Sequence, residues 1–336
     1  MVAGVMMPDA TIYDVAKRAE VSISTVSRVL NSPDQVNETT RTRVFVAIDE
    51  LGFVPKAEAA ARARKGTRRI GVLAPFITYP SFVQRLRGVT TLADSAYELV
   101  IYNVDSASRR DGYLAFLPVT RRLDGLIIMA LPFEEEAAQR LLSNELETVL
   151  LEFNHPSFSS VEIDDAAGGR LVACYLIAQG HRRFGFVGDA EVPDYAIHTS
   201  EKRLAGYHSA LYNAGFGLPN EYIALGPHGI EQARRLAHKL LDLPVPPTAI
   251  FAPSDTQALG VLKAARERDM SIPRDLAVIG FDDVEVADYI GLTTVRQPLE
   301  ESGRVAVELL LSRLANRSRP VQHVRLPLTI VRRETA

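Results

Sequence analysis

Residues 11–31, TIYDVAKRAEVSISTVSRVLN, hold the side chains whose types and spacing most directly suggest a chemistry. Ile23, Ser24, Thr25, Ser27 and Arg28 share one face of a short helix. They offer hydroxyls, a guanidinium and one apolar group, which suit phosphate oxygens, guanine edges and thymine methyls in a DNA major groove. Two helices and a tight turn must position that face. Thr11 reads as an N-cap, with Asp14 three positions on reaching back to it. Ile12, Val15, Ala16 and Ala19 then line one helical face. Val21 fills the turn, Ser22 caps the second helix, and Val26, Val29 and Leu30 form its buried stripe. The alternative is a small helical hairpin belonging to some other core; the length of the pattern favours the DNA-reading helix.

A second set of polar residues recurs at strand ends. Apolar runs at 70–74, 99–103, 125–129, 148–152, 184–188, 249–252 and 276–281 are separated mostly by helical stretches. Continuous apolar runs of this kind are what buried parallel strands require, and seven of them exceed one modest sheet. Ligands of open parallel sheets sit beyond the carboxyl ends of the strands. The residues standing there are Asn103, Asp105, Glu152, Asn154, Asp189, Ser254, Asp255, Asp282 and Asp283, and Arg203 adds a fork of donors within KRLAGY. Acceptors facing a multi-donor arginine suit a polyhydroxylated ligand. Each residue alone could instead cap a helix, and for Asp165 and Asp255 capping is the preferred reading.

Composition bounds the rest. At 336 residues, 47% hydrophobic and 24% charged, the chain is an ordinary globular protein with room for a small module and one large or two medium domains. No apolar run reaches the ~20 residues of a membrane span, and no secretory signal is read at the start. Cys174 is the single cysteine, which excludes an intrachain disulfide and fits a reducing cytoplasm. Within LVACYLIA it reads as a buried structural thiol. Net charge is −3, yet residues 1–69 sum to +3 and the remainder to −6. A basic head on an acidic body fits a phosphate-binding module joined to a sensor.

Residue for residue, the opening segment resembles the helix-turn-helix of the lactose-repressor (LacI/GalR) family. A third helix follows in VNETTRTRVFVAIDELGFVP, and RRLDGLIIMA, RLAGYHSAL, SDTQALG, IPRDLAVIGFDD and LTTVRQP extend the resemblance over nearly the whole chain. It implies an N-terminal all-α helix-turn-helix DNA-binding domain and an α/β, periplasmic-binding-protein-like core of two parallel-sheet subdomains. The implied boundaries are 1–54 for the head, 55–68 for a hinge and 69–336 for the core. Within the core, one subdomain takes about 69–164 and 296–325, the other about 165–295 and 326–336. The implied DNA-facing set is Thr11, Ile23, Ser24, Thr25, Ser27, Arg28, Asn37 and Thr40, with Lys56, Ala59 and Arg62 from the hinge. The implied effector set is Phe82, Glu152, Arg203, Ser254, Asp282 and Gln297. Ser254 replaces a commoner asparagine. Tryptophan is absent, so Phe82, Phe153 or Tyr195 must supply any stacking platform.

The hinge departs from the family pattern. KAEAAARARKGTRR carries six basic side chains against Glu58 alone, and reads either as a solvated linker or as a helix that orders on DNA. Arg62 stands where relatives place a leucine wedge. An arginine is drawn to the narrow A·T minor groove rather than unstacking a base step, which predicts a less bent operator with an A·T-rich centre.

The implied function is a cytoplasmic, homodimeric repressor of palindromic operator DNA controlled by a small sugar-like effector, with no cofactor and no membrane partner. Alternatives are a purine-, nucleoside- or protein-corepressed regulator of the same fold, or a solute-binding receptor. An enzyme is not expected, since the chain lacks G-x-S-x-G, P-loop, zinc-spacing and dinucleotide motifs.

Overall fold

The computed structural model describes residues 10–31, 35–51, 53, 67–91, 97–190 and 193–336. The head is three helices, α1 (Ile12–Arg18), α2 (Ile23–Asn31) and α3 (Glu38–Leu51). Val15, Ala16, Ala19, Val26, Val29 and Leu30 are buried as the spacing requires, joined by Val44, Phe45, Ala47, Ile48 and Phe53. The Thr11 backbone N–H donates to Asp14 Oδ2 at 2.8 Å, the reaching-back half of a capping box. Ser22 Oγ accepts from the Thr25 amide at 3.1 Å and caps α2.

The strands form two six-stranded sheets ordered β11–β5–β4–β3–β1–β2 and β12–β10–β9–β8–β6–β7. Those of the first are β1 (Arg69–Ala74), β2 (Glu98–Asn103), β3 (Gly125–Met129), β4 (Glu147–Leu151), β5 (Ser159–Glu162) and β11 (His323–Arg325). Those of the second are β6 (Phe184–Asp189), β7 (Ile223–Gly226), β8 (Ala249–Phe251), β9 (Ala277–Asp282), β10 (Thr293–Arg296) and β12 (Thr329–Val331). Each sheet repeats the doubly wound order second–first–third–fourth–fifth, with one further strand at an edge. The helices are α4 (Pro80–Val89), α5 (Ala107–Thr120), α6 (Glu135–Ser143), α7 (Asp165–Ala178), α8 (Thr199–Asn213), α9 (Ile230–Leu241), α10 (Asp255–Arg266), α11 (Glu285–Tyr289) and α12 (Leu299–Ala315).

All seven strands foreseen are present. The five not foreseen, β5, β7, β10, β11 and β12, hold three or four residues each and lie toward the sheet edges. They are short, and β5 (SSVE) and β10 (TTVR) bury hydroxyl-bearing residues, so no long apolar run marks them.

Contacts divide the described residues into two compact units. The first draws on Met1–Pro75, Leu92–Val149 and Leu309–Pro320. In it β1 pairs in parallel with β2 and β3. The head's α3 lies against α5 and α6, with Phe45 edge-on to Phe116 at 6.3 Å and Asp49 2.9 Å from Arg140. Arg41 also donates to the Ser108 hydroxyl at 3.1 Å.

The second unit draws on Phe76–Thr91, Leu150–Glu308 and Val321–Ala336. Successive residues of its central strands feed two separate cores. Ala249, Phe251, Ala277, Ile279 and Phe281 pack with Val172, Leu176, Tyr207 and Leu211 of α7 and α8. Ile250 and Val278 pack with Leu236, Leu240, Val261 and Ala264 of α9 and α10. Burial on both faces explains why these strands read as unbroken apolar runs. α7 and α8 touch backbone to backbone. A Cβ on Gly206 would overlap the Ala166 carbonyl, and one on Gly169 the Arg203 carbonyl. That close approach brings Asp165 within reach of Arg203.

Cys174 is exposed, contrary to the buried thiol the sequence suggested. Val172, Ala173 and Leu176 carry the inward face of α7, and Cys174 shares the outward one with Leu171.

Candidate functional site

The head presents part of its predicted face to solvent. Ile23 is 40% exposed despite being apolar, and Ser24 and Arg28 are exposed beside it. An isoleucine left in water at the first turn of a capped helix is poorly placed for folding and well placed for a thymine methyl. Other members of the set have structural duties as well. Thr25 and Ser27 are half-buried, and the Thr25 hydroxyl lies 2.8 Å from that of Ser22. Asn37 Oδ1 accepts the Thr40 amide at 2.8 Å and so starts α3. The Thr11 hydroxyl donates to Asp14 at 2.6 Å, and these bonds hold the Asp14 carboxyl below its usual range. Lys56, Ala59 and Arg62 lie outside the described residues.

In the second unit, four of the six predicted effector residues join one buried polar network. Arg203, on α8, is 4% exposed. Its Nε donates to Asp165 at 2.9 Å, its Nη1 donates to the Pro253 carbonyl, and Nη1 lies 3.6 Å from Asp282. The guanidinium also sits 3.6 Å from the centre of the Phe281 ring, a cation–π contact that fixes its plane. Gln297 donates from Nε2 to Asp282 Oδ1 and accepts at Oε1 from Arg85 at 3.0 Å. Arg85 also forms an ion pair with Glu152. Glu152, Asp282 and Asp283 have φ of 63°, 111° and 58°, so backbone strain gathers at these strand ends.

Ser254 and Phe82 stand beside this network. Ser254 caps α10, accepting the Gln257 amide at 3.2 Å and donating to Gln257 Oε1 at 2.8 Å. Gln257 in turn donates to Asp189 at 2.9 Å. Phe82 is buried and meets Phe76 edge-on at 6.0 Å. Phe76 stacks on Tyr79 at 5.0 Å, and Tyr79 on His228 at 4.8 Å. His228 Nδ1 lies 3.1 Å from Asp189.

The capping reading of two aspartates is corrected. Asp164, not Asp165, caps α7 by accepting the Ala167 amide at 2.7 Å, which leaves Asp165 to hold Arg203. Ser254 caps α10, while Asp255 is buried and accepts from the Val284 amide at 2.8 Å and the Thr294 hydroxyl at 2.6 Å. Both aspartates are one residue too late to cap and point across the sheet ends instead. Sequence reading also missed Arg85, Phe76, Tyr79 and His228. The signal for Arg85 was present: with Phe82 and Val89 it occupies positions i, i+3 and i+7 of the buried stripe of α4.

Charge in this network is unevenly balanced. Burial pushes Asp282 up to about 6, although Arg203, Gln297 and Arg85 all favour its ionised form. Burial likewise raises Asp165 and Asp255, Asp282 adding to the rise of the latter. For Arg203 burial works against the charge, and Asp165, Asp282 and Glu152 more than offset it. A folded-state pKa above the unfolded value means the native chain holds a proton longer. Stability from Asp282 is therefore full below about pH 4 and is lost as pH rises through about 6. The shift corresponds to at most about 3 kcal/mol. Comparing urea midpoints of wild type and Asp282→Asn from pH 4.5 to 7 should show the wild type losing stability that the variant keeps. Parallel curves would refute the burial argument.

Comparison with known proteins gives the family of the chain. Residues 11–56 match the model of bacterial regulatory proteins of the lacI family, and residues 173–336 that of a periplasmic binding protein-like domain. The HTH-type transcriptional repressor CytR of Escherichia coli (strain K12) is 34% identical over 317 residues, covering 91% of this chain and 90% of the relative. The repressor PurR of Escherichia coli O139:H28 is 34% identical over 337 residues, covering 97% of each. The chain belongs to the LacI family. Solved structures in the family agree. A transcriptional regulator CelR–cellobiose complex matches with TM-score 0.70 and 28% identity over 97% of this chain and all of its own. A LacI-family regulator from Enterococcus faecium with bound ribose matches with TM-score 0.69 and 29% identity, over 80% of this chain and 98% of its own. The protein is thus a DNA-binding transcription regulator and not an enzyme. Among the described residues no helix is long and apolar enough to cross a membrane.

Proposed function

We propose that this protein is a dimeric cytoplasmic repressor whose affinity for a palindromic operator is set by a small sugar-like effector bound at Arg203, Asp282, Gln297 and Glu152, beside Ser254 and Phe82. The head (1–54) reads DNA through Ile23, Ser24, Thr25, Ser27 and Arg28, supported by Thr11, Asn37 and Thr40. Residues 55–68, with Lys56, Ala59 and Arg62, form the hinge to the core. One recognition helix spans too few base pairs, so paired half-sites complete the site. Effector and operator are linked because each binds two states of the protein with different affinity.

The observation that carries the reading is the chain of side chains from Asp165 through Arg203 and Asp282 to Gln297, a run of donors and acceptors at the strand ends. Family structures holding cellobiose and ribose support a sugar. The stack of Phe76, Tyr79 and His228 favours a second reading, in which the sugar carries a planar base and the effector is a nucleoside. Thermal unfolding against a panel of sugars and nucleosides, with wild type and Asp282→Asn, tests both. A ligand at 100 times its Kd stabilises by ~2.7 kcal/mol. A shift seen only in wild type supports the pocket; an identical shift in both variants, or none across the panel, counts against it.

A further inference from the structure

The buried guanidinium of Arg85 is unexplained by the effector set above. It is 3% exposed and reaches three separate segments. Nη1 donates to the Ser302 hydroxyl at 3.0 Å, Nη2 donates to Gln297 Oε1 at 3.0 Å, and Nη2 also pairs with the Glu152 carboxylate. Nε is buried and has no acceptor among the described residues. An arginine offers donors only, so a glutamine amide touching it must turn its oxygen inward. The Gln297 NH2 group is thereby forced toward Asp282, where it donates to Oδ1. Arg85 is the cation that pairs directly with the Glu152 carboxylate, which is 9% exposed.

Resting on the effector reading above, we propose that Arg85 is the positioning residue of this site: it orients the Gln297 amide toward Asp282 and cancels Glu152, so that the site accepts uncharged, hydroxyl-rich ligands and rejects their phosphorylated counterparts. Two buried guanidiniums in one network would ordinarily suit a phosphate. Here both are already engaged, Arg85 by Glu152 and Arg203 by Asp165 and Asp282. Three carboxylates, Glu152, Asp165 and Asp282, face these two cations. A phosphate would meet net negative charge. A hydroxyl can donate to the carboxylates.

The double variant Arg85→Met/Glu152→Gln removes both charges together and so leaves neither member of the pair buried without its partner. Two readouts follow. In wild type the Gln297 side-chain NH2 pair, assigned by its loss in Gln297→Glu, should be slowly exchanging by nitrogen NMR; in the double variant it should exchange quickly and shift. An unchanged signal would overturn the positioning role, and this arm needs no ligand. In the second arm D-ribose and uridine are titrated beside ribose 5-phosphate and uridine 5′-monophosphate. A neutral probe should bind wild type at least tenfold tighter than its phosphate and the double variant about tenfold more weakly. Equal affinity for the phosphorylated probe, or an unaltered affinity in the double variant, would overturn the proposal. If none of the four probes binds wild type, the sugar and nucleoside reading fails, and the amide signal alone decides the role of Arg85.

Discussion

Replacing Arg203 with alanine should cost about 3–5 kcal/mol of stability in addition to any loss of effector response. The side chain holds Asp165 by an ion pair at 2.9 Å, donates to the Pro253 carbonyl and covers the Phe281 ring. Truncation leaves Asp165 and Asp282, both less than a tenth exposed, as buried carboxylates without their cation. A burial penalty of that kind depends on pH. Both carboxyls sit above their usual range, Asp282 at about 6, so acidification neutralises them and relieves the penalty. Urea unfolding at pH 7 should show the full deficit, and unfolding at pH 5 a smaller one. A deficit below about 1 kcal/mol at pH 7, or one equal at both pH values, would show that the pair is not buried as described. The same reasoning makes Asp282→Asn, which keeps the shape and deletes one charge, the cleaner probe of effector binding.

The network shows why the head was legible in the sequence and the pocket only partly so. The hydrogen bonds that start the three helices of the head each span three residues: Thr11 to Asp14, Ser22 to Thr25, Asn37 to Thr40. Caps and helical periodicity are local rules, and reading them in order recovers the module. The strands were visible for a similar reason, since burial on both faces writes itself as an apolar run. Pocket contacts follow no such rule. Arg85 meets Ser302 across 217 positions and Gln297 across 212. From the sequence Arg85 is one of two arginines in PSFVQRLRGV, and only its place on an otherwise apolar stripe marks it. Asp165 and Asp255 failed in the other direction. A helix start explains an aspartate so readily that the neighbouring residue, Asp164 or Ser254, was overlooked as the actual cap. The contact of α3 with α5 and α6 through Phe45–Phe116 and Asp49–Arg140 was equally invisible, because the resemblance directs attention to the hinge.

Arg28→Ala, by contrast, should weaken operator binding by 10- to 100-fold, about 1–3 kcal/mol, while leaving the melting temperature and effector affinity unchanged. Arg28 is exposed on α2, and the buried stripe of that helix is carried by Val26, Val29 and Leu30, so its removal opens no cavity. Ile23 and Ser24 flank it at the start of the helix, where a recognition helix meets base edges. Two outcomes separate the roles an exposed arginine can play. A phosphate contact supplies affinity to every sequence alike, so its loss lowers the salt dependence of binding by about one counterion and leaves site preference intact. A base-edge contact supplies discrimination, so its loss relaxes preference at one position. With Ile23 and Ser24 beside it, Arg28 should behave as the second kind. Titrations of operator and scrambled duplex at two salt concentrations should show the ratio between them collapsing in the variant. A uniform loss on both duplexes would move Arg28 to the phosphate backbone and leave Ile23 and Ser24 to choose the operator.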